Sequence, residues 1–300
     1  MMLDMNFVKP EQCMKPAVAI MKLHGRISTE TESYGGGKKH INIANMRDMI
    51  DAAFAVENLK AVILNINSPG GSSVQSDLIS SYIKQKAEEV KIPVVSFVEE
   101  MAASGGYWLA CTGSEIYAAR TSIVGSIGVI TQGLGFHDLI QKWGIENRTY
   151  TAGENKCINN PFVPVKESDV KITKSLLNEI HQVFINHVRD NRGDRLTADD
   201  ETLFNGQYWI AETGLKLGLV DGIDNIDSYI AKKWGKEVLI HRIRKENKTM
   251  LSDLIDSIGP MISASRNPLS SVLAITEQLD AMNMIMDVAN PNCQALKVQI

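Results

Sequence analysis

Regular alternation of strand-like and helix-like segments over the first 120 residues predicts an α/β fold with a largely parallel sheet. Two further observations support this. The run AVILNI at 61–66 has the apolar character of a strand covered on both faces, as strands in parallel sheets are. The chain has 300 residues, 44% hydrophobic and 22% charged, the balance of a globular protein long enough for a sizeable core.

The elements follow in order. AVAIMKL at 17–23 opens the alternation as a strand. In INIANMRDMIDAAFAVENL, Ile43, Met46, Ile50, Ala53 and Phe54 recur at helical spacing, so a helix links the first strand to AVILNI. VQSDLISSYIKQKAEE is a second helix and PVVSFV at 93–98 a third strand. EIYAA and VGSIGVIT, the latter at 124–131, read as further short strands, and FHDLIQKWG as a helix stopped by Gly144. A longer helix begins near Ser168, carries Ile172, Leu176, Ile180, Val183, Phe184 and Val188 along one side, and closes at RDNRG. After Val238 the character changes. IHRIRKENKTM is basic and polar and reads as a linker. Residues 251–290 are amphipathic, broken at Gly259-Pro260 and Asn267-Pro268, and are expected to form helices that dock on a partner surface. The expected division is an N-terminal arm over 1–16, a main domain over 17–240, and a basic linker with an amphipathic tail over 241–300.

Several function classes fall away on composition. A net charge of −4 gives nucleic acid or an anionic membrane no electrostatic reason to bind. The four cysteines, Cys13, Cys111, Cys157 and Cys293, lie far apart with no CxxC pair. That argues against a metal site or a disulfide framework and fits a reducing compartment. No apolar run approaches the ~18 residues of a membrane span, and the N-terminus lacks the basic start and apolar stretch of a signal peptide. The expectation is a cytoplasmic chain, peripheral at most to a membrane, with no cofactor.

Two stretches carry chemistry. NINSPGG, Asn65 to Gly71, follows the most apolar strand directly. Ser68-Pro69 sets a turn, and Gly70-Gly71 permits positive φ, so backbone N–H groups can converge as an anion nest. Taken alone, an ordinary strand-exit turn accounts for it better. The second stretch is VVSFVEEMAASGGYW, Val94 to Trp108, where small residues surround Ser104 between a strand and a helix. Small residues let backbone approach closely. The unpaired N–H groups opening a helix favour an alkoxide and then a tetrahedral oxyanion. The simpler account of Ser104 is a small residue at a tight helix contact.

A serine nucleophile needs a base. The six histidines, His24, His40, His137, His181, His187 and His241, are scattered, and none lies in a small-residue or turn context. TAGENKCINNPF, Thr151 to Phe162, instead sets Lys156 in a Gly- and Asn-rich loop. Most lysines are solvated surface groups. A lysine acting as base must be neutral, which requires its ordinary value of ~10.4 to fall to roughly 7–8 through burial or a neighbouring cation. Ser126 in IVGSIGV is the candidate to orient such an amine.

NSPGG, MAASGGYW, TSIVGSIGVI and the AGENK lysine, in this order, resemble the signal peptide peptidase A (SppA/SohB) family of Ser–Lys dyad serine proteases. Lys156 follows Ser104 by 52 residues and Ser126 follows it by 22, as in the single-domain members, and FNGQYWIAETGLKLGLVDGI resembles the segment after the family's catalytic core. The resemblance covers roughly 17–240. It implies a Clp-protease/crotonase-like fold of repeated ββα units, extended here by the C-terminal helices, and a serine endopeptidase cutting extended or unfolded peptides such as signal-peptide remnants or damaged proteins. Ser104 would be the nucleophile, Lys156 the general base and Ser126 its partner. The amides of Gly71 and Gly105 would form the oxyanion hole, and Gly70, Ile127, Gly128 and Val129 would meet the peptide by strand addition. In the single-domain members, serine and lysine of one site come from neighbouring protomers of a ring, so a homo-oligomer is expected. The chain departs from the pattern in that no N-terminal anchor is expected from its opening residues and in carrying Cys157 where many members have an acidic residue.

Three other readings compete. A Clp-type triad needs a histidine about 25 residues after the serine, and VGSIGVITQGLG at 124–135 contains none. A crotonase-type acyl-CoA enzyme would employ Glu99 or Glu100 as acid/base. An inactive oligomeric scaffold would need neither Ser104 nor Lys156.

Overall fold

The computed structural model describes residues 15–29 and 40–244. The chain divides into compact units Met1–Arg244 and Lys245–Ile300, and every described residue belongs to the first. The arm before residue 15 and the tail expected to be helical lie outside the described residues.

The fold is mixed α/β on a mostly parallel sheet. Its first half alternates as expected: β1 (Ala17–His24), α1 (Ile43–Phe54), β2 (Leu59–Ser68), α2 (Ser73–Val90), β3 (Val94–Ala103) and α3 (Gly105–Ala110). Then come β4 (Glu115–Ala118), β5 (Ile123–Gly125), α4 (His137–Lys142), α5 (Glu167–Arg192), α6 (Asp200–Leu203), β6 (Tyr208–Ile210), α7 (Ala211–Lys216), β7 (Gly222–Ile223), α8 (Ile226–Trp234) and β8 (Leu239–Ile243). The main path runs β6-β5-β3-β2-β1-β8, with β4 joined to β3 and β7 to β4. Every pairing is parallel except β5 with β6.

Strand β3 is longer than the apolar run PVVSFV suggests, because its two halves have different neighbours. Val95–Val98 pairs with β4, and Met101–Ala103 pairs with β5. Pairing with β5 keeps the chain extended past the two exposed carboxylates Glu99 and Glu100 and delivers Ser104 at the strand's end.

Both faces of the central strands are covered. On one side Leu64 and Ile66 of β2 pack with Met46 and Ile50 of α1 and Ile79 and Ile83 of α2. On the other, Val18, Ile20, Ile63, Val95 and Phe97 meet Tyr229 and Ile230 of α8. Each large side chain buried in this way contributes roughly 1.5–3 kcal/mol. The two first helices start at side-chain caps: Asn42 accepts from the Asn45 amide, and Ser72 from that of Gln75. Among the described residues, no helix is long and apolar enough to cross a membrane.

Three expectations need correction. The strand read over 124–131 ends at Gly125, since Gly125 and Ser126 adopt φ of 105° and 54° and turn the chain out of the sheet. The linker expected from 241 does not hold over residues 241–243. Leu239–Ile243 forms edge strand β8, parallel to β1, with His241 and Arg242 exposed on it. The apolar side of α5 is buried only toward its C-terminus. Phe184 and Val188 are buried, while Leu176 and Val183 stay 55% and 57% exposed.

Two contacts explain that asymmetry. Phe184 and His187 stack on Trp108 of α3, with ring centroids 5.1 and 4.4 Å away. One turn further on, buried Arg192 forms a two-pronged pair with Asp221 (2.7 and 2.9 Å) and donates through Nε to the Gly218 carbonyl. Asp221 also accepts from the Ile116 amide, which ties α5 to β4. Asp221→Ala leaves the guanidinium buried without its counter-ion and should cost about 3–5 kcal/mol in urea unfolding. A loss below about 1 kcal/mol, the size of an exposed pair, would show that the contact is not structural.

Burial holds the His187 imidazole down at about 4, against an ordinary 6.5. The unfolded chain therefore takes up a proton below pH 6.5 that the folded protein refuses until about pH 4. Stability should fall across that window by up to about 3 kcal/mol more in the wild type than in His187→Gln, as measured by thermal unfolding at matched pH. Parallel losses in the two proteins would contradict the assignment.

Candidate active site

The small residues around Ser104 are explained by backbone packed on backbone. The Ser68–Gly71 turn at the end of β2 presses against the Ala103–Gly106 corner between β3 and α3. A Cβ on Gly106 would lie 2.4 Å from the Ser68 carbonyl oxygen, and one on Gly70 2.7 Å from both the Ala103 oxygen and the Gly105 nitrogen. A Cβ on Gly71 would lie 2.0 Å from the Ile27 oxygen, and one on Gly105 2.6 Å from Ser76 Oγ. Separations below 3.0 Å are ones that real Cβ atoms essentially never show.

Ser104 takes the bend in that corner. Its φ of 53° and ψ of −123° lie far from the common regions for an L residue, a strain that persists only where surroundings over-determine it. The surroundings here are its own amide, which donates to Gly125 O at 2.9 Å, and its carbonyl, which accepts from Tyr107 and Trp108 N at 2.8 and 3.0 Å. Helix α3 behind it is buried throughout. The side chain is thus carried on a rigid step, partly open to solvent.

Two amides stand beside it. Ile27 bridges Gly71 through Gly70 O and Ser72 N, so the Gly71 N–H takes no part in that ladder. The Gly105 N–H opens α3, where helical N–H groups have no intrahelical acceptor. A Cβ on Gly105 would lie 3.4 Å from the Gly71 nitrogen, so both donors belong to one small patch.

A cavity of about 740 Å³ opens over this patch and brings together Gly70, Gly71, Ser104, Ser126, Gly128 and Val129. A second, of about 360 Å³, adjoins Ser104 and Gly105 and is walled by Trp108 with Leu176, Leu177 and Ile180 of α5. Ser126 is held at φ 54° by its amide, which donates to Gln207 O at 2.7 Å. Ile127 turns its side chain into the core and lines neither cavity.

Lys156 also lies outside the lining of both cavities. It is exposed, in a turn closed by its amide donating to Gly153 O at 3.1 Å. Cys157 is exposed beside it, its Sγ 3.4 Å from Asn160 Nδ2.

Sequence reading missed Arg26 and His181, which line the larger cavity. His181 Nε2 lies 3.0 Å from Ile127 O. A carbonyl only accepts, so Nε2 carries the proton and the bond ties α5 to the 126–129 segment. The one available signal for His181 was its place on the helix bearing Ile180 and Phe184. Arg26 gave none beyond lying next to a buried strand.

Competing nucleophiles and acids are poorly placed. Cys111 is buried, and burial pushes its thiol up to about 12. Glu99 accepts from Asn65 Nδ2 at 2.6 Å and lies 3.3 Å from His24, and no Asp or Glu among the described residues lines the larger cavity. What remains is a strained serine facing backbone donors in an open cleft, an arrangement suited to acyl transfer.

Comparison with known proteins bears on the same stretch. The model of Peptidase family S49 matches residues 86–238, which include Ser104, Ser126 and Lys156. A Brucella abortus protein named Na(+)/H(+) antiporter NhaA is 39% identical over 257 residues, 86% of this chain but 34% of that protein. A Haemophilus influenzae protein named "Probable protease SohB" is 29% identical over 205 residues, 67% of this chain and 57% of its own length. An Enterococcus faecium protein named "Putative signal peptide peptidase SppA" is 29% identical over 217 residues, 71% of this chain and 62% of its own. The chain thus spans about a third of the length of its Brucella relative and well over half of the other two. With half its length matched by the family model, including the strand, turn and helix that carry Ser104, the chain belongs to Peptidase family S49, a family of serine endopeptidases.

Proposed function

We propose that this chain is a serine endopeptidase that hydrolyses extended or unfolded peptides, such as signal-peptide remnants or damaged proteins, without a cofactor. The observation that carries this reading is the strained Ser104 corner facing the Gly70–Gly71 turn in one cavity. Ser104 Oγ attacks the scissile carbonyl carbon while the neutral Lys156 amine takes its proton. The oxyanion that forms is met by the N–H groups of Gly71 and Gly105. Collapse expels the amine product, which takes the proton back from lysine, and water then releases the acyl group by the same steps. Ser126 orients the amine, and the 126–129 segment offers backbone to an extended chain. The apolar cavity beside Ser104 suits an apolar side chain of the peptide. The Clp-protease/crotonase-type fold of repeated ββα units agrees with the mostly parallel sheet and with a β3 that shares one edge between β4 and β5.

The position of Lys156 favours a site shared between copies. It is exposed and outside the lining of its own chain's cleft. The segment around it carries bare apolar groups, with Ile130 77%, Trp143 76%, Tyr150 91% and Val165 85% exposed. A neighbouring copy covering them would bury apolar area and desolvate the amine. A second reading rests on His181: with Nε2 donating to Ile127 O, Nδ1 is the ring nitrogen left to accept in the neutral form, and the ring lines the same cavity as Ser104.

Ser104→Ala should lower peptide hydrolysis by about four orders of magnitude or more in a normally folded protein. Lys156→Arg should be equally silent, because guanidinium keeps its proton. An active Lys156→Arg beside an inactive His181→Gln would transfer the base role to His181. Undiminished turnover in Ser104→Ala would remove the nucleophile assignment altogether.

Sharing is tested by coexpressing Ser104→Ala with Lys156→Ala, each inactive alone. Mixed assemblies should regain part of the activity where an intact serine meets an intact lysine. If mixed assemblies are verified by two affinity tags and remain inactive, the dyad lies within one chain.

A further inference from the structure

We infer that Arg26 reads charge in the cleft, pairing with a carboxylate of the bound peptide; this deepens, and rests on, the peptidase reading of the same cavity. Arg26 sits just beyond β1 on a fixed stretch of backbone. The Gly25 amide donates to Asn67 O, that of Ile27 to Gly70 O, and the Arg26 carbonyl accepts from the Ile41 amide, each at 2.9 Å. Side chains alternate along extended chain. Ile27 is 1% exposed and packs toward Gly105, so its neighbour Arg26 projects the other way, exposed, into the cavity that holds Ser104.

The electrostatic setting selects the partner. Pro69, glycines, hydroxyls, apolar groups, Asn205 and His181 make up the rest of that lining, with no Asp or Glu among the described residues. Arg26 has no ion pair with any described residue. A guanidinium stays charged across the working pH range and presents a planar fork that matches a carboxylate with two parallel hydrogen bonds. The chain as a whole carries −4, so its net charge gives an acidic peptide no general attraction, and Arg26 supplies a local positive charge in the cleft. The carboxylate can belong to an acidic side chain near the scissile bond or to the terminus of a short peptide.

The test uses the purified full chain and quenched-fluorescent peptides that differ only in Glu, Gln or Lys at each position flanking the cleaved bond, made with free and with amidated C-termini. Wild type should prefer Glu over Gln at one position by about tenfold in kcat/KM, equivalent to about 1.4 kcal/mol. That ratio should shrink when ionic strength rises from about 0.05 M to about 0.5 M. Arg26→Glu should invert it in favour of Lys, and Arg26→Lys should keep its sign with a smaller value. If the Glu scan shows no preference and amidating the C-terminus lowers kcat/KM about tenfold in wild type but not in Arg26→Glu, the terminal carboxylate is the partner. Hydrolysis with the same Glu-to-Lys ratio in wild type and Arg26→Glu, the latter folded by circular dichroism, overturns the inference while leaving the peptidase reading intact. A changed sedimentation coefficient in Arg26→Glu without a changed ratio also overturns it, placing Arg26 against a second copy instead. Absence of any hydrolysis by wild type overturns the peptidase reading and this inference together.

Discussion

The closest constraint in this molecule is the contact of the Ser68–Gly71 turn with the Ala103–Gly106 corner. Two backbones meet there at distances that leave no room for a Cβ on Gly70 or Gly106, and Gly71 is closed off in the same way by the Ile27 carbonyl. The contact fixes where β2 ends, because the register between β2 and β3 shifts at Ile66 and Ser68 as the turn leaves the ladder. It also fixes Ser104 in a backbone state that it would not hold alone. The same approach sets the Gly71 and Gly105 amides side by side. Packing and site chemistry are one requirement here, and small residues serve both.

The rest of the domain braces that corner from two directions. Behind it, buried α3 carries Trp108 into the stack with Phe184 and His187, and the Arg192–Asp221 pair locks the end of α5 to β4. In front, the 126–129 segment leaves the sheet after Gly125, tethered by Gln207 O on Ser126 and by the His181 ring on Ile127. Helix α5 therefore has two unlike halves. Toward its C-terminus Phe184, Val188 and Arg192 are buried, whereas Leu176 and Leu177 in its N-terminal half face the apolar cavity next to Ser104. A single amphipathic stripe supplies both a packing surface and the wall of a cleft.

Electrostatics divide along the same lines. The buried charges are matched, as Arg192 is by Asp221. Arg26, which has no carboxylate partner among the described residues, lies in the cleft, as does the imidazole of His181. Lys156 and the apolar groups near it point outward, so the residues of the expected dyad are not gathered by one chain's described surface.

The sequence by itself determined the α/β class, the order of the first strands and helices, and the corner at Ser104. Periodicity registers burial directly: Met46, Ile50, Ala53 and Phe54 recur at helical spacing and face the core, as does the AVILNI strand. Glycine clusters likewise mark positive φ and close approach before any coordinates exist. Tertiary structure decided what depends on neighbours distant in the chain. Strand β3 runs past Glu99 because β5 pairs with its end; β8 forms from a basic stretch because β1 offers an open edge. The strand expected through 131 stops where a left-handed Ser126 ends the pairing, a conformation no local pattern announces. Arg26 reaches the cleft because its neighbour Ile27 donates to Gly70 O, and His181 through its own bond with Ile127 O, contacts that join positions 43 and 54 residues apart in the chain. Composition and spacing report the face a residue buries, but not which remote backbone atom will hold it there.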